Sequence, residues 1–219
     1  MKKCLIVRGG WDGHEPVQIS ELFRDFLLNE GCDVDIQEET LQYFEDIEKL
    51  ITYDLIVPVW TGGTITPEQC EGILNTVASG VGIAGCHGGM NDTFRNNGGW
   101  RFMTGSEFIC HPGNDGTCYK VYVRRNASSP IIKDISDFDV CSEQYYLHVD
   151  PSVNVLATTR FPVADGNYAT NGAFDMPVVY TKLWGKGKVF YNSLGHVANV
   201  FNIPQAWELM RRGLLWAMR

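Results

Sequence analysis

Five histidines, His14, His87, His111, His148 and His196, are the side chains of this 219-residue chain best suited to exchanging protons near neutral pH. Four stand in glycine- or proline-rich contexts that read as loops: Gly13-His14-Glu15-Pro16, Cys86-His87-Gly88-Gly89, His111-Pro112-Gly113 and Gly195-His196. Loops carried on a rigid scaffold are where reactive groups collect. His148 alternates out of phase with Leu147 and Val149 and is the least suited of the five. Glu143 precedes the apolar-aromatic stretch Tyr145-Tyr146-Leu147, so partial burial and a raised pKa are expected for it. Glu143 and His196 form the expected acid–base pair, with His87 binding or polarising an oxygen. His87, His111 and His196 could also hold Zn²⁺ or Mn²⁺. No H-x-x-x-H or H-E-x-x-H spacing occurs, so such a site would assemble from separate loops, and no other cofactor is indicated.

The segment Gly82-Ile83-Ala84-Gly85-Cys86-His87-Gly88-Gly89-Met90 reads as strand, tight turn, then helix. A turn of this kind forces one side chain into the open at a sheet edge. Cys86 is the expected residue there. The amides of the following helix start would lower its pKa toward the thiolate, or hold an oxyanion. Three readings stay open: a nucleophilic Cys86, a Cys86 that sits at a site without attacking, and a small filler in a glycine turn. His87 should project near the same pocket. Asp92, read as early in that helix, would accept a hydroxyl, orient a histidine or cap the helix. Trp11, His14, Trp60 and His111 complete the expected ligand contacts, the two tryptophans as stacking faces.

The elements that must position these residues follow from apolar spacing. Cys4 to Val7, Leu55 to Val57 and Val81 to Ala84 are short apolar runs closed by Gly or Pro, the pattern of buried strands. Pro16 and Thr66-Pro67-Glu68 open helices that stop at Gly31 and Gly80. Val34 and Ile36 alternate with charges, as an edge strand does. Alternating strands and helices predict a parallel, doubly wound α/β sheet. Tyr119 to Val123 and Asn154 to Ala157 alternate. Pro177 to Trp184 and Lys188 to Leu194 flank Gly185-Lys186-Gly187 as an antiparallel hairpin. Pro204 to Met218 is a last amphipathic helix. Loops at Gly9–His14, Trp60–Thr64 and Gly85–Asn91 should meet at the carboxyl ends of the strands. No repeat or linker interrupts residues 1–219, so a single domain is expected.

Composition narrows the partners. The net charge is −8, which argues against nucleic acid and anionic membrane. No segment approaches the ~20 apolar residues of a membrane span. The N-terminal apolar run is too short for a secretory core, so a cytoplasmic home is expected. Seven scattered cysteines without a C-x-x-C pair read as unpaired thiols of a reducing compartment. There is no G-x-G-x-x-G fingerprint and no P-loop lysine. A small-molecule ligand is expected, and a homo-oligomer is left open.

Several segments together resemble the trehalose-utilization (ThuA-like) family. They are Trp60-Thr61-Gly62-Gly63, the turn with Asn91-Asp92-Thr93-Phe94-Arg95 after it, Cys110-His111-Pro112-Gly113, and Ser142-Glu143-Gln144-Tyr145-Tyr146. The most specific runs from Gly185 through Val189-Phe190-Tyr191-Asn192-Ser193-Leu194-Gly195-His196. The resemblance implies a flavodoxin-like, class I glutamine amidotransferase-like fold with three layers and a mostly parallel sheet. It also implies sugar catabolism, including routes through 3-keto-glycosides. A class I amidotransferase pairs an elbow cysteine with a late His-x-Glu. Cys86 and His196 are similar to the first two members, but Val197 and Ala198 supply no acid, so only Glu143 from another loop could orient His196. Three functions are carried forward: an enzyme acting on a sugar or 3-keto-glycoside, a non-catalytic sugar-binding or regulatory protein, and a cysteine amidohydrolase.

Overall fold

In β1 (Lys3–Gly10), Cys4 and Ile6 enter one hydrophobic core and Leu5 and Val7 enter another. Burial on both faces marks a central strand covered by helices on each side. The computed structural model describes residues 1–219. After β1 come α1 (Pro16–Asn29), β2 (Asp33–Glu38), α2 (Ile47–Leu50), β3 (Leu55–Thr61), α3 (Pro67–Ser79), β4 (Gly82–Cys86), α4 (Gly88–Asn91) and α5 (Gly98–Thr104). Then follow β5 (Ser106–Cys110), β6 (Thr117–Val123), β7 (Phe138–Ser142), β8 (Tyr146–Val149), β9 (Asn154–Phe161), β10 (Phe174–Trp184), β11 (Gly187–Asn192) and α6 (Pro204–Ala217).

Phe23 and Leu27 of α1 and Leu209 and Leu214 of α6 fill the first core. Ile73 and Val77 of α3 and Trp100 and Met103 of α5 fill the second. The result is the expected three-layer α/β arrangement. α3 starts on a reciprocal cap: Thr66 Oγ1 accepts from the Gln69 amide at 3.1 Å, and Gln69 Oε1 accepts from the Thr66 amide at 3.2 Å. Such a cap contributes about 1 kcal/mol. No helix is long and apolar enough to cross a membrane.

The nine-stranded sheet runs β2-β1-β3-β4-β11-β10-β9-β6-β7. It is parallel from β2 to β11 and antiparallel from β11 outward. β1, β3, β4 and β11 therefore end at one edge, and the order reverses between β1 and β3. That edge is where open α/β sheets place ligands. A separate antiparallel pair, β5–β8, sets Cys110 opposite Tyr146 and so brings His111 toward the segment 143–145.

Two expectations need correction. Cys118 and Cys141 are joined as a disulfide. They are direct partners in the β6–β7 register with Cα atoms 4.0 Å apart, a juxtaposition created by strand pairing and invisible in a 23-residue separation. The other five cysteines are free. The helix after the β4 turn, α4, is only four residues long, so Asp92 lies at its C-terminal end and cannot cap its start.

Candidate functional site

The turn after β4 has the pattern Gly85-x-His87-x-Gly89, and its strained residue is His87, with φ 47° and ψ −139°. A non-glycine residue there costs roughly 1–3 kcal/mol and persists only when its surroundings enforce it. They do so here. The His87 amide donates to the Asn192 carbonyl at 2.7 Å, and the Tyr191 hydroxyl donates to the His87 carbonyl at 3.2 Å. The strained residue is thus a histidine, and its ring is buried, not in the open as the turn pattern predicts. Cys86, one residue earlier, is packed into the first core. Its burial pushes the thiol up to about 12, the reverse of the lowered pKa expected from the sequence. The spacing of two glycines around a central residue marks His87, and that was the signal available.

His14 arrives from the loop after β1. Its Nδ1 lies 2.8 Å from Thr61 Oγ1 at the end of β3. A Cβ on Gly88 would stand 2.5 Å from His14 Nδ1, so the absence of a side chain at Gly88 is what admits the ring. The His14 and His87 rings meet edge to face with centroids 4.7 Å apart, and His14 and His196 at 5.3 Å. His196 follows β11. Its loop is tied to the first loop by the Ala198 amide, which donates to Glu15 Oε2 at 2.9 Å.

Glu143 sits at the centre. His87 Nε2 is 3.0 Å from its Oε2, while His111 Nε2 and His196 Nε2 each lie 3.6 Å from its Oε1. Its backbone is fixed by the Tyr119 hydroxyl, which donates to the Glu143 carbonyl at 2.9 Å. The neighbouring Gln144 amide donates to Thr159 Oγ1 at 2.9 Å. Tyr145 stacks on the His87 ring at 3.9 Å. Asp115 Oδ1 lies 3.4 Å from His196 Nδ1. Thr61, Asp115 and Tyr145 were not legible as site residues, because each matters only through a neighbour that folding supplies.

The electrostatics follow from this crowding. Burial alone would raise the Glu143 carboxyl, but the His87 hydrogen bond and the imidazoles of His87, His196 and His111 outweigh it and hold the group down at about 2. The raised pKa expected from the sequence is therefore reversed, and Glu143 stands ionised. Burial pushes His14 down to about 3, helped by His87 and His196. Burial also lowers His87 against the opposing pull of Glu143. His87 Nδ1 donates to the Ser193 carbonyl at 2.8 Å, which fixes its proton on that side.

The remaining expected residues stand around this cluster. Trp11 is 59% exposed and meets the His14 ring edge-on at 4.7 Å. Trp60 folds back over Gly9 and Gly63, outside the imidazole group. Asp92 pairs with Arg95. His111, the most open of the four clustered histidines, also lines a depression of about 490 Å³ with Arg95, Phe108 and Tyr168. His148 is exposed on β8. A larger depression of about 670 Å³ near Val123 to Ser136 contains no histidine and lies away from the cluster.

The same architecture occurs in solved structures. A ThuA-like protein of Bacteroides uniformis superposes with a TM-score of 0.76 at 20% identity, covering 98% of this chain and 89% of its own. One of Parabacteroides merdae gives 0.72 at 20% identity, covering 99% and 89%. A cytoplasmic protein of Salmonella typhimurium gives 0.67 at 16% identity, with both chains covered completely. At these identities the likeness shows the fold. No curated protein matches the chain significantly. The model of the ThuA family, described as trehalose utilisation, matches residues 3–217. The chain belongs to the ThuA trehalose utilisation family.

Proposed function

We propose that this protein acts on a sugar or a 3-keto-glycoside by general acid–base chemistry at the His14, His87, His111, His196 and Glu143 cluster. The family ties the chain to carbohydrate utilisation in general. The observation that carries the finer reading is the ionised Glu143, with the Nε2 atoms of three histidines within 3.6 Å of its oxygens. Glu143 supplies the orienting acid that is missing after His196. A carboxylate in that place stabilises an imidazolium formed next to it.

The chemistry suits a ketone flanked by a C–H bond. His196, on the outer side of Glu143, takes the proton from that carbon. His111, at the open depression, hydrogen-bonds the oxygen on which charge develops. The enolate can expel the substituent on the next carbon to leave an enone, or take back a proton at a different carbon in an isomerisation, and water adding to the enone returns through the same enolate. Trp11 offers an apolar face at the mouth. The amidohydrolase alternative has little support, because Cys86 is buried and its thiol is held protonated.

The test is incubation with 3-keto-glycosides and their parent sugars in D₂O, followed by NMR. Deuterium entering the carbon beside the ketone, and its loss in His196→Ala, is the expected result. Ligand binding without exchange or turnover would leave a sugar-binding protein, and neither binding nor turnover would remove the carbohydrate reading of this site.

A further inference from the structure

We propose that His14, His87 and Glu143 bind a first-row divalent metal ion, Zn²⁺ or Mn²⁺. This set differs from the histidines singled out in the sequence, since it replaces His111 and His196 with His14 and Glu143. The proposal deepens the reading of the same site as a carbohydrate centre, but its first test needs no sugar.

Three observations carry it. One ligand atom from each of these buried residues lies within 4.8 Å of the others. Ligands about 2.0–2.2 Å from one ion stand roughly 3.0–3.5 Å apart, so the His87–Glu143 separation of 3.0 Å already fits and His14 needs to close by about 1 Å.

The second observation concerns the orientation of His87. Its Nδ1 faces the Ser193 carbonyl, which can only accept, so Nδ1 carries the hydrogen. In the neutral ring, Nε2 then presents a lone pair to a carboxylate oxygen at 3.0 Å. Two acceptors facing each other at that distance require a cation between them: the proton of the His87–Glu143 hydrogen bond in the metal-free protein, or a metal ion in its place. A metal ligand oriented by a carbonyl on its far nitrogen is the usual outer-shell arrangement for histidine. His14 is held similarly, through Thr61 Oγ1.

Third, the donor chemistry is selective. Two imidazoles and one carboxylate suit zinc or manganese and leave coordination positions for water or substrate, whereas calcium and magnesium prefer all-oxygen sets. His196 and His111 approach the opposite carboxylate oxygen, Oε1, and remain free for substrate.

The experiment is a titration of chelator-treated protein with Zn²⁺ and with Mn²⁺ by calorimetry, alongside elemental analysis of the protein as purified. One equivalent is expected for the wild type. His14→Ala, His87→Ala and Glu143→Gln should abolish binding. Thr61→Val should weaken it by about 10–100-fold, the usual effect of losing a partner that orients a ligand. Circular dichroism separates lost binding from lost folding. Cobalt substitution provides a second readout, because Co²⁺ held in a four- or five-coordinate site by imidazole and carboxylate absorbs visible light far more strongly than the hydrated ion. Failure of the wild type to bind either ion, or binding unaffected by all three ligand variants, would overturn the proposal. Sugar turnover by a wild type that binds neither ion would overturn it while sparing the carbohydrate reading. Metal binding without turnover of any sugar would do the reverse.

Discussion

His87 Nε2 lies 3.0 Å from Glu143 Oε2, although the two residues are 56 positions apart and occupy different strands' ends. One arrives on a strained turn of the parallel half of the sheet, the other on a loop of the antiparallel half. The pair exists only because both halves share one edge.

Glu143→Gln tests the charge at the centre of this arrangement. The amide keeps the size but removes the anion that three imidazoles face. Turnover should fall about 100-fold or more, the typical scale of losing acid–base assistance. The far-UV spectrum should be unchanged. Steady-state kinetics on the sugar identified by NMR provides the check, and wild-type kcat in the variant would exclude Glu143 from the chemistry.

The backbone of His87 gives a second expectation. Glycine tolerates φ 47° and ψ −139°, whereas alanine keeps the strain and still loses the imidazole. His87→Gly should therefore be more stable than His87→Ala by about 1 kcal/mol, with both inactive. Urea denaturation of the two variants measures the difference, and equal midpoints would mean that the turn is not strained.

Cys86 should behave as a packing residue. Iodoacetamide on native protein should label the partly exposed Cys110 well before Cys86, and peptide mass spectrometry reads the order. Cys86→Ala should retain turnover at a stability cost of about 1 kcal/mol. Complete loss of activity in that variant would restore covalent catalysis by the thiol.

Gly88→Ala probes the contact that seats His14. The new methyl would lie 2.5 Å from His14 Nδ1 and 3.1 Å from Thr61 Oγ1. Loss of about 1–3 kcal/mol is expected, together with displacement of the His14 ring. Gly98→Ala is the control, because nothing lies within 4 Å of its Cβ position. Thermal melts that rank the two variants equally would argue against a tight contact.

Away from the site, Lys182 Nζ is buried and meets Asp150 Oδ2 at 2.6 Å. The Lys182 hydrogen bond and the Ser152 amide hold the Asp150 carboxyl down at about 2. A depressed carboxyl stabilises the fold above its ordinary pKa and loses that contribution as pH falls toward 2. Asp150→Asn should destabilise the protein by about 3 kcal/mol near neutral pH, because it removes the counter-charge of a buried ammonium and leaves it the Phe102 carbonyl as acceptor. The gap from wild type should narrow in acid. Chemical denaturation across pH 2–7 checks the sign, and a constant gap would contradict it.

Much of the architecture was legible in short apolar runs and their glycine or proline stops. Cys4 to Val7, Leu55 to Val57 and the Gly185-Lys186-Gly187 hairpin all lie in strands or turns as read. The loops bearing His14, His87, His111 and His196 were legible from their Gly and Pro neighbours. Less accessible were features set by register and crowding. Cys118 meets Cys141 through strand pairing alone. The direction of the Glu143 shift depends on how many imidazoles surround it, which no local pattern encodes. Reading the turn at Cys86 instead of His87 was an avoidable displacement by one position, because Gly85 and Gly89 are symmetrical about His87.

The position of β11 between β4 and β10 has a consequence for how the protein comes into being. The Asn192 and Ser193 carbonyls, which hold His87, and His196 itself all follow His87 by more than a hundred residues. A polypeptide lacking that stretch would have β4 as a bare edge and would lack the carbonyls that hold the His87 amide and Nδ1. The clustered geometry therefore forms only after β11 has been made and has docked between β4 and β10, and a fragment ending before β11 would not assemble it.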